Sequence, residues 1–195
     1  MERIDATIKL KKAWPEDFEQ DDSRKFNEII RGFPTLLKNI TSKSNRISVY
    51  EYFGKEGIGK TTTKNLLKSK FPILIDNSDF KGIYLFYHNN EPFYTGISKG
   101  IIKRIHQHIK GANHFSSSLS YQMGKQHHFE TLQQLHKGTR KELDFKKFSE
   151  PFKKIMKEEC EIAILPISGS IELYLFECYA AIELELHYYN RFDTH

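Results

Sequence analysis

Arg104 and His108 stand four residues apart in SKGIIKRIHQHIKG, so on a helix both side chains leave the same face. A guanidinium there stays charged and grips two phosphate oxygens at once, as a pentacovalent phosphate requires. His108 is suited to orient a neighbour, to touch phosphate or to relay a proton, whereas His106 points elsewhere and reads as a surface residue. Glu177 lies among Leu175, Phe176, Cys178, Tyr179, Ala180 and Ala181. At about 100° per residue it falls roughly 120° to 140° round a helix from Glu172 and Glu183, off the polar face. A carboxylate in such company raises its pKa or takes a cation, and Mg²⁺, which accepts one or two protein carboxylates and keeps several waters, suits it. Tyr84 and Tyr94 fall in GIYLFYHNNEPFYTG. A phenol, with a pKa of about 10, is a poor base at neutral pH unless cations lower it, and Lys99, Lys103 and Arg104 are the candidates to do so. Phosphodiester hydrolysis needs a positioned water, a base, positive charge at phosphorus and a way to stabilise the departing oxygen, and this set has a candidate for each role.

A second stretch, GKEGIGKT at residues 54–61, contains G-x-x-x-x-G-K-T, the pattern of loops that wrap backbone N–H groups round nucleotide phosphates. Its context argues against nucleotide hydrolysis. ISVYEYF ahead of it places Glu51 among apolar residues, and ILID, ending at Asp76, falls sixteen residues after Lys60 with no further strands to complete a parallel sheet. No NTP binding is expected. Two readings stay open for the helix that follows. Lys60, Lys64 and Lys68 recur every four residues along one face, open to a DNA phosphate at the helix N-terminus; or a flexible glycine loop leads into a plain solvated helix.

The elements that must position these residues are legible in outline. Apolar residues at Phe26, Ile29, Ile30, Phe33, Leu36 and Leu37 predict helix within residues 14–42, broken near Pro34. Residues 61–71 also predict helix, with Leu66, Leu67 and Phe71 on one side. Aromatic and β-branched runs at 83–87 and 92–95 flank HNNE, the signature of a hairpin. Ile101, Ile102, Ile105 and Ile109 predict a helix over 99–110, and residues 171–186 form the last strong element.

Within that frame the sequence resembles the GIY-YIG nuclease family. Gly82-Ile83-Tyr84 is the first triplet, and Tyr94-Thr95-Gly96, after nine intervening residues, stands for the second, with Thr where the family has Ile. Arg104 follows Gly96 by eight residues and His108 follows Arg104 by four, as the family's arginine and histidine do. LYLFECYAAIELELHYYN resembles the family's closing helix, and Glu177 and Asn190 match its metal-binding glutamate and its asparagine. The resemblance implies an α/β (α+β) fold: a small, mostly antiparallel three-stranded sheet flanked by helices at residues 80–195, preceded by a helical region at residues 1–79. It also implies roles. Tyr84 takes the proton of the attacking water, a divalent metal at Glu177 binds the scissile phosphate, Arg104 stabilises the transition state, and Tyr94, His108 and Asn190 complete the catalytic set. Mg²⁺ is the expected metal, with Mn²⁺ able to substitute.

Composition is compatible with that resemblance. The chain has 195 residues, a formal charge of +5 and 38% hydrophobic residues, which predicts a globular protein. Residues 99–147 carry ten Lys or Arg against three acids, with six histidines besides, a candidate polyanion surface in which Lys99 and Lys103 join Lys60, Lys64 and Lys68 as DNA contacts. NHFSSSLSYQMGKQHH and KGTRKELDFKKF, between His108 and Glu177, are further candidates for DNA contact. Cys160 and Cys178 read as inert core thiols. No segment predicts a membrane span or a signal peptide, so an intracellular, cytoplasmic protein is expected. The sequence predicts a DNA endonuclease of restriction, repair or mobile-element type, with a homo-oligomer open. The alternatives are a non-cleaving DNA-binding module on the same fold and, far behind, a P-loop NTPase.

Overall fold

The structure, a computed structural model, describes residues 24–70, 79–190 and 192. The proline-led start of the first predicted helix, the ILID run at residues 73–76 and Phe71 lie outside the described residues. The predicted break near Pro34 separates α1 (Phe26–Ile30) from α2 (Phe33–Thr41), with Pro34 in the first turn of α2, where a missing N–H costs no helical bond. A short strand β1 (Arg46–Ser48) and a wide helical turn (Tyr50–Gly54) lead to α3 (Lys60–Lys70). The hairpin is β2 (Gly82–His88) and β3 (Glu91–Ser98), joined by Asn89 and Asn90, both at positive φ (52° and 70°), the geometry whose twist matches paired strands. Then come α4 (Ile101–Lys110), α5 (Ser118–Leu132), a turn (Phe145–Ser149), α6 (Glu150–Glu158), β4 (Glu161–Pro166) and α7 (Ser170–Glu183).

The expected antiparallel sheet flanked by helices is present, with four strands in the order β1-β4-β2-β3 in place of the three expected. The fourth, β1, comes from the region read as helical. With one buried residue, Ile47, between Arg46 and Ser48, it is too short to show a period of two in sequence.

Alternation along β2 sets up two cores. Tyr84 and Phe86 face one layer with Ile162 and Ile164 of β4, Ile101, Ile105 and Ile109 of α4, Leu119 of α5 and Met156 of α6. Ile83, Leu85 and Tyr87 face the other, packed on α1, α2 and α7 through Ile29, Phe33, Leu173 and Phe176. Tyr84 is therefore aimed at α4, while Glu177 on α7 starts from the opposite layer.

Among the described residues, no parallel strand flanks residues 54–61. The strand ahead of them, β1, is the edge of an antiparallel sheet, and the intervening Tyr50–Gly54 turn leaves Glu51 exposed beside Lys55. Helix α3 buries Thr63 and Leu67; Leu66, expected beside Leu67, is exposed because the buried stripe is only two residues wide.

Candidate active site

Two glycines allow Tyr84 to sit where it does. Gly82 lies against β4, where a Cβ would collide with the Leu165 carbonyl oxygen. Gly96 pairs with Tyr84 across the hairpin, and a Cβ there would lie 2.5 Å from the Tyr84 hydroxyl oxygen, so the phenol crosses the strand at the one position without a side chain. Thr95, the departure from the second triplet, is buried and its hydroxyl donates to the Tyr84 carbonyl oxygen at 3.1 Å.

Helix α4 brings in the cation and the imidazole. Its N-terminus is fixed by Asp79, whose carboxylate accepts from the Phe80, Ile102 and Lys103 backbone N–H groups at 2.8–2.9 Å. Four isoleucines bury one stripe, and beside it Arg104 and His108 turn towards the sheet. His108 Nε2 lies 2.7 Å from Tyr84 Oη with both groups fully buried, and the rings of Tyr84, Tyr94 and His108 stand 5.7–6.1 Å apart. Arg104 is half-buried, interacts with both tyrosine hydroxyls, and donates from Nη2 to Ser118 Oγ at 2.8 Å. The run Ser116–Ser118 thus ends in the first residue of α5, and that residue holds the arginine.

Glu177 and Asn190 reach the site from behind, round the edge of the sheet. Strand β3 has no neighbouring strand on its outer side among the described residues, so alternate N–H groups point outward. Thr95 N–H donates to Asn190 Oδ1 at 3.0 Å and the Asn190 amide returns a bond to Thr95 O at 2.7 Å. Two residues on, the Ile97 backbone hydrogen-bonds the Glu177 carboxylate, which also lies close enough to Tyr94 to affect its ionisation. Asn190 is buried at this edge, which makes it a clamp on the strand that carries Tyr94. It lies beyond α7, on a segment turned back through Glu185 at φ 55°.

The electrostatics divide the roles. Burial pushes the Tyr84 hydroxyl well above its ordinary 10, Tyr94 adds to the rise, and Arg104 offsets only part of it. The expected depression of this phenol by Lys99, Lys103 and Arg104 does not occur, because full burial outweighs one guanidinium and the two lysines point to solvent. Burial, with Arg104 beside it, holds His108 well below 6.5, so its imidazole is neutral. Its Nδ1 is buried without a hydrogen-bond partner among the described residues. Glu177 is pushed up to about 7 by burial, the Ile97 bond acting against the rise.

The residues present fit a divalent cation at Glu177. It is a desolvated carboxylate with no ion pair among the described residues, and a hard cation that keeps most of its waters needs few protein ligands. No group of three or more His, Cys, Asp or Glu that could hold a metal occurs among the described residues, so Glu177 would hold it as the single carboxylate.

The other expected residues lie apart from this cluster. His106 is buried rather than surface-exposed: its side of α4, opposite Arg104 and His108, packs on α3, with Nε2 3.1 Å from Thr63 Oγ1 and the ring on Phe53. Lys60, Lys64 and Lys68 lie on α3, beyond that face. Cys160 is buried and pushed up to about 12, an inert thiol, and Cys178 is partly buried. Asp79, Ser118 and Thr95 were missed in the sequence, since each acts on a partner 11 to 24 residues away across a turn.

Residues 80–163 match the family model of the GIY-YIG catalytic domain. The match contains Tyr84, Tyr94, Arg104 and His108 and ends before α7. Neither a curated protein nor a solved structure matches the chain.

Proposed function

From a chain whose residues 80–163 match the GIY-YIG catalytic domain, a nuclease-type unit, we propose a divalent-metal-dependent endonuclease that hydrolyses DNA phosphodiester bonds, of restriction or repair type. One observation carries the reading: Tyr84, Tyr94, Arg104 and His108 converge within hydrogen-bonding reach on one face of the sheet, and Glu177 arrives at the same strand edge from another helix.

The attacking water gives its proton to Tyr84 Oη while Tyr84 passes its own proton to His108 Nε2, 2.7 Å away. No free phenolate forms, as a buried phenol with a raised pKa requires. The relay needs His108 as the Nδ1–H tautomer, which leaves Nε2 as acceptor, and the lowered pKa keeps that nitrogen unprotonated before attack. Arg104, charged and held by Ser118, grips the non-bridging oxygens as negative charge grows at phosphorus. Tyr94 keeps the water and the Tyr84 hydroxyl in line. Glu177 would hold a divalent cation, Mg²⁺ with Mn²⁺ as substitute, which when bound would supply positive charge beside the scissile phosphate and acidify water near the leaving oxygen.

Incubating the protein with supercoiled plasmid and Mg²⁺ is the test. Nicked and linear products are expected, lost in Glu177→Ala, with DNA binding changed only a few-fold because basic side chains supply most of the affinity. Tight binding without any cleavage by the parent protein would establish a non-cleaving module on this fold.

A further inference from the structure

A cavity of about 380 Å³ opens between α5 and residues 187–189, and both of its walls are tied to the catalytic cluster. On one side, Ser118 holds Arg104; one turn later on the same face comes Gln122, about 6 Å along the helix, followed by Lys125, Gln126 and Phe129, which line the cavity. On the other side, Tyr188 and Tyr189 immediately precede Asn190, the clamp on Thr95 beside Tyr94. Gln126 donates to the Tyr188 hydroxyl and joins the two walls; it also donates to Glu130, the acid at this rim.

The lining combines aromatic rings with one lysine, Lys125, whose Nζ also stands 5.1 Å from the centre of the Tyr121 ring. Phe129 and Tyr188 are 42% and 55% exposed, an arrangement that leaves two aromatic faces in water beside Lys125. Gln122 has an amide oxygen that is buried with no partner among the described residues, an unused acceptor that costs stability as it stands. Its terminal torsion is soft, so the amide can turn to a ligand edge. Stacking faces, an amide for a ring edge and a cation for the adjoining phosphate are the groups that hold an unpaired nucleobase; an apolar peptide would use neither the amide nor the lysine.

Resting on the nuclease reading, we propose that this cavity takes an unstacked nucleobase of the cleaved DNA strand, next to the scissile phosphate. The enzyme then selects DNA that is single-stranded, or easily opened, at the cut.

The test uses the full chain with single-stranded and duplex oligonucleotides carrying 2-aminopurine at successive positions, bound in EDTA and cut separately in Mg²⁺ to map the scissile bond. A change in 2-aminopurine emission is expected at the nucleotide adjoining the cut. Tyr188→Ala and Phe129→Ala, both exposed and checked by circular dichroism, should abolish that change and weaken binding on the order of 10-fold. The same pattern in oligonucleotides that go uncut in Mg²⁺ would uphold the base site and sink the nuclease reading instead. Emission identical in the parent and both variants at every position, with cleavage intact, overturns the proposal. So does a parent that sediments as a dimer while both variants are monomers, which would make the cavity a self-association face.

Discussion

Glu177→Gln keeps the shape of a side chain that the fold desolvates and removes its charge. Burial raises this carboxyl from 4.5 to about 7, and at about 1.4 kcal/mol per pH unit the folded state resists its ionisation by roughly 3 kcal/mol. Between the unfolded carboxyl's pKa and about 7 the native protein binds more protons than the unfolded chain, so stability falls as pH rises through that window, and the penalty is complete above it. Glutamine escapes the penalty and retains an oxygen for the Ile97 bond. In EDTA at pH 8 the variant should therefore exceed the parent by up to about 3 kcal/mol, some 6–12 °C in Tm for a chain of this size. At pH 4 the two should coincide. Mg²⁺ should raise the parent's Tm at pH 8 and leave the variant's unmoved, because only the ionised carboxylate attracts the cation. Thermal melts at two pH values with and without Mg²⁺ measure all of this. Equal Tm values in EDTA at pH 8 would refute the desolvation argument, and an equal Mg²⁺ response would place the cation elsewhere.

Arg104→Ala should cost on the order of 10²-fold or more in single-turnover rate, and Arg104→Lys should rescue it poorly, since lysine has no fork for two oxygens; a fully active lysine variant would mean that another cation meets the phosphate. Tyr84→Phe removes the relay oxygen and little volume, so melting should change slightly while turnover is lost. With His108 already neutral, the parent's rate should rise through about pH 7 with Glu177 and then level off, its midpoint falling as Mg²⁺ increases; a rate still climbing toward pH 10 would favour a phenolate base. Asn190→Ala strands both a buried N–H and a C=O of Thr95 and should lower urea stability by about 2–4 kcal/mol; unchanged stability with lost turnover would make the amide a contact to reacting groups. Replacing Lys60, Lys64 and Lys68 by Ala should flatten the salt dependence of DNA binding by up to about three phosphate contacts if α3 touches DNA, and an unchanged slope returns it to a solvated helix.

What the sequence determined by itself was local. Hairpin, turn and helix periodicities follow from neighbours within a few residues, so HNNE, the isoleucine stripe of α4 and the pairing of Arg104 with His108 on one face were legible directly. The resemblance supplied Tyr84, Tyr94 and Glu177 as a set, but spacing alone assigns no burial. The tertiary structure decided the chemistry of each group: that Tyr84 is fully enclosed and resists ionisation, that His108 rather than a lysine is its partner, and that Glu177 comes round the sheet edge from the opposite layer. It also decided the fourth strand and the Asn190 clamp. Side-chain-to-backbone hydrogen bonding across more than ninety residues joins Asn190 to Thr95, and Arg46–Ser48 pairs with β4 more than a hundred residues away; neither partnership leaves a periodic trace in the chain. Desolvation depends on everything packed around a group, and only the assembled fold fixes that.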